Sequence, residues 1–218
     1  MPDNFPEPTR IIAIRHGETA WNVTTRIQGQ LDIGLNETGR WQAHRVAQAL
    51  AGEPIKALYS SDLLRAWDTA LSISNVTGLA VQTVEGLRER GFGMFQGKTF
   101  QEIELQWPDQ ALRWRKREPD FEPDGGESLL RFRERITQTM QTLAAQHPGE
   151  QIVMVAHGGV MDVLYRAATR QEIQARRTWD LGNATINRLL WTPEGLSLVG
   201  WADTQHLADA GPLDESTA

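Results

Sequence analysis

Two stretches of this chain close on the same dipeptide. Ile11-Ile12-Ala13-Ile14-Arg15-His16-Gly17 and Ile152-Val153-Met154-Val155-Ala156-His157-Gly158 are short apolar runs, rich in branched side chains, that end in His-Gly. Such a run reads as a buried strand, and the glycine lets the chain turn directly after the histidine. Ligands of open α/β sheets bind beyond the carboxyl ends of strands. Two imidazoles delivered to one sheet edge, with Arg15 beside the first, make a site for an anion. A lone strand-end histidine is usually structural, but a matched pair with an adjacent arginine is a different case. His44 in an amphipathic helix, His147 at a helix end and His206 near the tail are assigned no function.

Other chemistries fall away on inspection. The chain has no cysteine, which excludes disulfides, thiolate zinc sites and cysteine nucleophiles. His16-Gly17-Glu18 matches half of a zinc-deaminase signature whose other half needs cysteine. No His-Glu-x-x-His helix occurs, so no metal is expected. Gly93 to Thr99 resembles a P-loop with one residue too few between its glycines. Gly91-Phe92-Gly93 reaches Gln96 where a dinucleotide fingerprint needs glycine. The net charge of −6 argues against a nucleic-acid partner, and any anion site must be built locally against that field. No apolar run approaches the ~18 residues of a membrane span. Residues 1–8 carry no basic segment followed by an apolar one, as a signal peptide would. The expected location is the cytoplasm.

The elements that must position these residues follow from periodicity and caps. Residues 1–9 read as an extended, proline-punctuated tail, followed by a strand over about 10–15 and a turn-rich loop to Gly34. Asn36 caps a helix over about 38–51, with Trp41, Val46, Ala49 and Leu50 on one face. A strand spans 57–60. Asp62 caps a helix from Leu63 to about Val76, stopped by Gly78, and a strand follows over 81–84. Residues 91–126 read as an irregular insertion with a short helix near 99–106, of the kind that forms lids. The basic run 113–117 reads as a solvated helix face, and Trp107 and Trp114 as a pocket wall among tryptophans that are mostly core. A helix over 127–146, a strand over 151–156, a helix after Gly158-Gly159 and apolar runs near 184–191 and 196–201 complete the pattern. The last 15 or so residues read as acidic and frayed. Strands alternating with helices give an α/β fold, a three-layer α/β/α sandwich around a mostly parallel sheet. Residues 1–218 read as a single domain, with 91–126 as a lid-like insertion.

Ile12 to Asn22 resembles the Arg-His-Gly signature of the histidine phosphatase superfamily, the phosphoglycerate-mutase-like proteins of branch 1. Ser60-Ser61-Asp62-Leu63-Leu64-Arg65-Ala66 is similar to the family's second block, Leu87-Arg88-Glu89-Arg90-Gly91-Phe92-Gly93 to its third, and Ala156-His157-Gly158-Gly159 to its last. The resemblance implies that His16 is a nucleophile forming a phosphohistidine and that Glu89 protonates the leaving oxygen, then deprotonates water. Arg15, Arg65 and His157 would hold the phosphoryl oxygens, Asn22 would add an uncharged donor, and Gln28, Gly29 and Gly158 would touch substrate. Glu18 competes with Glu89 as the acid, being nearer the nucleophile in sequence, but is as well suited to orienting backbone. A phosphomonoester hydrolase without cofactor is expected, acting on a small phosphorylated metabolite, with no nucleic-acid or membrane partner and a homodimer left open. The alternative is a phosphoglycerate mutase dependent on 2,3-bisphosphoglycerate. Such mutases tend to read His-Gly-Asn-Ser and Glu-Arg-His-Tyr-Gly where this chain has His157-Gly158-Gly159-Val160 and Glu89-Arg90-Gly91-Phe92-Gly93. A catalytically silent phosphate binder is the third reading. The first two require residues 15, 16, 65, 89 and 157 to converge on one tetrahedral oxyanion.

Overall fold

The computed structural model describes residues 7–208; of the expected tails, 1–6 and 209–218 lie outside it, while Thr9 already belongs to the first strand and Gln205–Leu207 form a 3-10 turn. Six strands form one sheet in the order β3-β2-β4-β1-β5-β6. They are β1 (Thr9–Arg15), β2 (Ala57–Ser60), β3 (Val81–Thr83), β4 (Gln151–Ala156), β5 (Ile186–Thr192) and β6 (Gly195–Asp203). The first four are mutually parallel, and β5 and β6 add an antiparallel hairpin beside β1. Helices cover both faces.

Strand alternation decides which side chains meet which layer. Ile11 and Ala13, with Ile152 and Met154, pack against α6 (Leu129–Ala144) and α7 (Gly158–Thr169). Ile12 and Ile14, with Val153 and Val155, pack against α2 (Glu37–Leu50) and α3 (Leu64–Thr77). Burial on both faces leaves β4 without an exposed residue, which is why it reads as a continuous apolar run. At 1.5–3 kcal/mol for each fully buried branched aliphatic side chain, these two layers dominate the stabilisation.

Several local expectations need correction. In α2 the buried face is Gly39, Ala43, Val46, Ala47 and Leu50; Trp41 and Ala49 lie on the exposed side, because small residues let the helix sit close to the sheet. Asn36 does cap α2, accepting from Gly39 N, and left-handed Gly78 does end α3. Asp62 does not cap α3. Its carboxylate is taken by Arg88, through Nε at 2.8 Å and Nη2 at 2.5 Å, and the cap position falls to Leu63. The Leu64 amide instead donates to Asp32 Oδ1 at 2.6 Å, a cap supplied from the preceding loop. Of the tryptophans only Trp179 is buried, and Trp41 is exposed.

The insertion is more regular than its sequence reads. A four-residue helix, α1 (Ala20–Val23), lies in the loop after β1. Within 91–126, α4 (Phe100–Gln106) is followed by a further helix, α5 (Pro108–Arg115). Pro108 occupies the first helical position, where its missing N–H costs nothing. Phe95, Ile103, Ala111 and Phe121 give the insertion its own small core. Its ion pairs, Arg115–Glu104 and Arg113–Glu118, are about half exposed and stabilise by at most ~1 kcal/mol each, so the apolar cluster holds it. The run 113–117 is a solvated face only in part. Arg117 adopts φ 54° and turns its guanidinium inward to Asp162 at 2.9 Å. No helix of the described residues is long and apolar enough to cross a membrane.

Candidate active site

Adjacent parallel strands deliver the two histidines. Arg15 pairs with Ala156 in the β1–β4 register, so His16 and His157 leave the sheet side by side. Their ring centroids are 5.3 Å apart. Both are buried, and burial, then the Arg65 cation, hold each imidazole well below its ordinary pKa; both rings are neutral near pH 7.

Neutrality makes the tautomer the question. His16 Nδ1 lies 2.7 Å from the Gly17 carbonyl oxygen. A carbonyl only accepts, so Nδ1 carries the proton and Nε2 keeps its lone pair. Arg65 Nε donates to Nε2 across 3.3 Å, a long bond that an incoming group can replace. The rest of the Arg65 guanidinium donates to the Gly29 and Leu31 carbonyls at 2.7 and 2.9 Å. Burial lowers the Arg65 pKa to about 10, which still leaves it fully cationic at neutrality.

His157 has the opposite assignment. Ser61 Oγ accepts from Leu63 N, and its hydroxyl proton has His157 Nε2, 2.8 Å away, as its acceptor among the described residues. Nδ1 of His157 therefore carries the proton, and it has no partner. Arg15 donates through Nη1 to the Leu181 carbonyl, while its buried Nε has no partner either. Unused N–H groups around one imidazole lone pair are what a phosphoryl group requires.

Glu89 lines the same cavity as His16, Arg15 and Arg65. Its Oε1 accepts from Arg90 N at 2.8 Å and its Oε2 from Gly159 N at 2.9 Å, in the first turn of α7. Any side chain at position 159 would collide with it, since a Cβ there would fall 2.2 Å from Oε1. Arg135 clamps the backbone carrying Glu89 by donating to the carbonyls of Gly86, Arg88 and Glu89, and Glu127 anchors Arg135 with both carboxylate oxygens. Glu18, the rival, accepts from Asn36 Nδ2 at 2.8 Å and so orients the cap of α2.

A cavity of about 180 Å³ is lined by Arg15, His16, Asn22, Gln28, Gly29, Arg65 and Glu89, among others. His157 is fully buried and lines neither this cavity nor the larger one; its ring packs 5.3 Å from that of His16. Asn22 spends its Oδ1 on Thr19 N, Thr19 Oγ1 and Asn183 Nδ2, which leaves its own amide N–H groups for the cavity. A second cavity of about 730 Å³ shares Arg15, Glu89 and Phe92 with the first and holds Gly158 in its wall. Trp114 lines it and Trp107 does not, since Trp107 packs on Phe95 inside the insertion. The wall is not confined to 91–126, because α6, α7 and the segment 170–181 contribute as well. Sequence reading missed Ser61, Asn183 and that segment. Ser61 lies inside a motif block and could have been flagged; Asn183, which donates to the His16 carbonyl, carries only a turn signal.

Neutral buried histidines make stability pH-dependent with a definite sign. In the unfolded chain both titrate near ~6.5, whereas in the fold they stay neutral far lower. Between those values the unfolded state binds more protons, so stability falls as pH drops, by up to ~1.4 kcal/mol per pH unit for each histidine. Thermal melts in phosphate-free buffer should show the melting temperature falling from pH 7 to pH 5. The fall should be shallower in His157→Asn; equal slopes would refute the assignment.

Three comparisons with known proteins bear on this geometry. The family model described as histidine phosphatase superfamily (branch 1) matches residues 11–204. A phosphoglycerate mutase-like protein 4 of Arabidopsis thaliana is 40% identical, the match covering 93% of this chain and 89% of that protein. A protein of the same organism named metal-independent phosphoserine phosphatase is 37% identical over 95% of this chain and 87% of its own. The structure of a mycobacterial glucosyl-3-phosphoglycerate phosphatase complexed with VO3 superposes with a TM-score of 0.78 at 34% identity, covering 89% of this chain and 99% of that one.

Proposed function

This chain belongs to the histidine phosphatase superfamily, branch 1, and from that premise we propose that it hydrolyses phosphomonoesters through a phosphohistidine on His16, with Glu89 as proton donor. The observation that carries the reading is the bond from His16 Nδ1 to Gly17 O, which leaves Nε2 as an unprotonated nucleophile in a cavity shared with Arg15, Arg65 and Glu89.

The steps follow from the chemistry of the groups. Nε2 of His16 attacks phosphorus while the bond to the leaving oxygen breaks, and that oxygen takes the proton of the Glu89 carboxyl. Arg15, Arg65 and the His157 Nδ1–H hold the three equatorial oxygens, where charge accumulates. Glu89, now a carboxylate, removes a proton from water as the water attacks the phosphohistidine. The N–P bond breaks, the electron pair returns to Nε2, and inorganic phosphate leaves. Asn22 and the Gln28–Gly29 turn line the same cavity and contact the phosphoryl group from its open side.

The partner in this proposal is a small phosphorylated metabolite. Such ions do not cross bilayers unaided, which supports the cytoplasm as the working compartment. No metal is assigned, because arginines supply the positive charge; the name of the 37% identical relative points the same way. 2,3-Bisphosphoglycerate belongs only to the mutase alternative.

One assay separates the two activities. Phosphate release from a panel of phosphomonoesters should exceed 3-phosphoglycerate isomerisation, measured with and without the bisphosphate primer, by at least ~100-fold in kcat/KM, a difference of ~2.7 kcal/mol. Primer-dependent isomerisation at the faster rate would establish the mutase instead.

A further inference from the structure

The larger cavity has a charge balance at odds with the rest of the chain. Besides Arg15, its wall carries Arg90, Arg117, Arg133, Arg166, Arg170 and Arg177, set against the carboxylates of Glu89, Asp162 and Asp180. The whole protein has a net charge of −6, so this is a local positive field inside a cleft, where low-dielectric walls focus it.

Arg90 is held by the Glu127 and Phe121 carbonyls, and the other five cations divide into two sets. Asp162 Oδ2 accepts from Arg117 Nη2 at 2.9 Å and from Arg166 Nε at 3.0 Å. Those two guanidiniums reach across to the carbonyls of Ile173, Glu172 and Ala175, and Trp179 stacks on Tyr165 with ring centroids 4.2 Å apart. The first set therefore latches the segment 170–181 onto α7 and the insertion. The second set, Arg133, Arg170 and Arg177, is exposed and makes no side-chain hydrogen bond or ion pair to any described residue. The Arg177 cation also lies close enough to Arg15 and Arg117 to add to the burial that lowers both their pKa values. Like charges gathered in one cleft repel, and an anion placed among them relieves that repulsion.

We propose that the larger cavity receives the leaving group of the substrate and that this leaving group carries a second anionic group, a carboxylate or a phosphate, bound by Arg133, Arg170 and Arg177. The proposal rests on the phosphatase reading, because the two cavities meet at Arg15, Phe92 and Glu89, so that the scissile phosphoryl group fills the smaller one. The larger cavity's volume of about 730 Å³ lies within the ~300–1,000 Å³ of ordinary small-molecule sites and leaves room beyond the anion for a bulky alcohol. Asp162, through the two arginines it holds, is a positioning residue for the wall and touches no substrate.

Matched esters test this with the 218-residue chain. Propyl phosphate, 3-(phosphonooxy)propanoate and propane-1,3-diyl bisphosphate differ only in the second group. The wild type should prefer at least one charged ester over propyl phosphate by ~10-fold or more in kcat/KM, and the better of the two identifies the group. In the double variant Arg133→Gln/Arg177→Gln, whose positions are exposed, that preference ratio should fall at least tenfold, and added salt should erode it in the wild type. A wild-type ratio near one, or a ratio unchanged in the variant, overturns the proposal while hydrolysis of propyl phosphate leaves the phosphatase reading standing. No phosphate release from any of the three removes both.

Discussion

His16→Ala is expected to lose at least ~10⁴-fold in kcat, because the covalent route vanishes and no neighbouring group can replace it. His157 cannot substitute: its Nε2 is committed to Ser61 and its Nδ1 carries a proton. Binding should behave differently. Arg15, Arg65 and the His157 N–H remain, and the Ala side chain opens space, so inorganic phosphate should still bind within about tenfold of the wild-type affinity. Rapid quench into alkaline denaturant with labelled substrate should trap a base-stable, acid-labile phosphoenzyme in the wild type and none in the variant. A silent phosphate binder would show no phosphoenzyme and no turnover in either protein. Retention of most activity by His16→Ala would refute the covalent mechanism.

Glu89→Gln should show a split that depends on the leaving group. Alkyl phosphates expel a poor leaving group that needs a proton, and losing general acid catalysis costs ~10²–10⁴-fold. Nitrophenolate leaves without one, so p-nitrophenyl phosphate should slow far less in the phosphorylation step. With its single oxygen turned to Gly159, the glutamine amide still accepts the N–H at the α7 N-terminus and gives up only the Arg90 N–H, so the fold should persist. Equal losses on both substrates would argue that Glu89 only supports the backbone. Glu18→Gln provides the contrast, because its bond to Asn36 is one an amide oxygen can also accept.

How far the sequence reveals this site depends on the range of each contact. Strand-end His-Gly pairs, the Asn36 cap and the Gly78 stop are written within a few residues and emerge in place. Glu89 was legible only as part of a motif block, since nothing local separates it from Glu18. What separates them is that Glu89 is held against Gly159, 70 residues away, whereas Glu18 is turned onto α2. Asp62 misled for the same reason: in sequence it precedes a helix, but in space Arg88 claims it.

The sequence by itself determined the α/β class, the sheet edge where the histidines emerge and the residue types an anion would meet. These follow from side-chain periodicity and backbone preference, which act over a turn or a strand. Tertiary structure alone decided the tautomer of His157, the cap that Asp32 gives α3, and the arginine wall joining the insertion to the segment 170–181. Each depends on groups tens of residues apart meeting within hydrogen-bond distance. Only the global register of the sheet and the layers packed on it can bring such groups together.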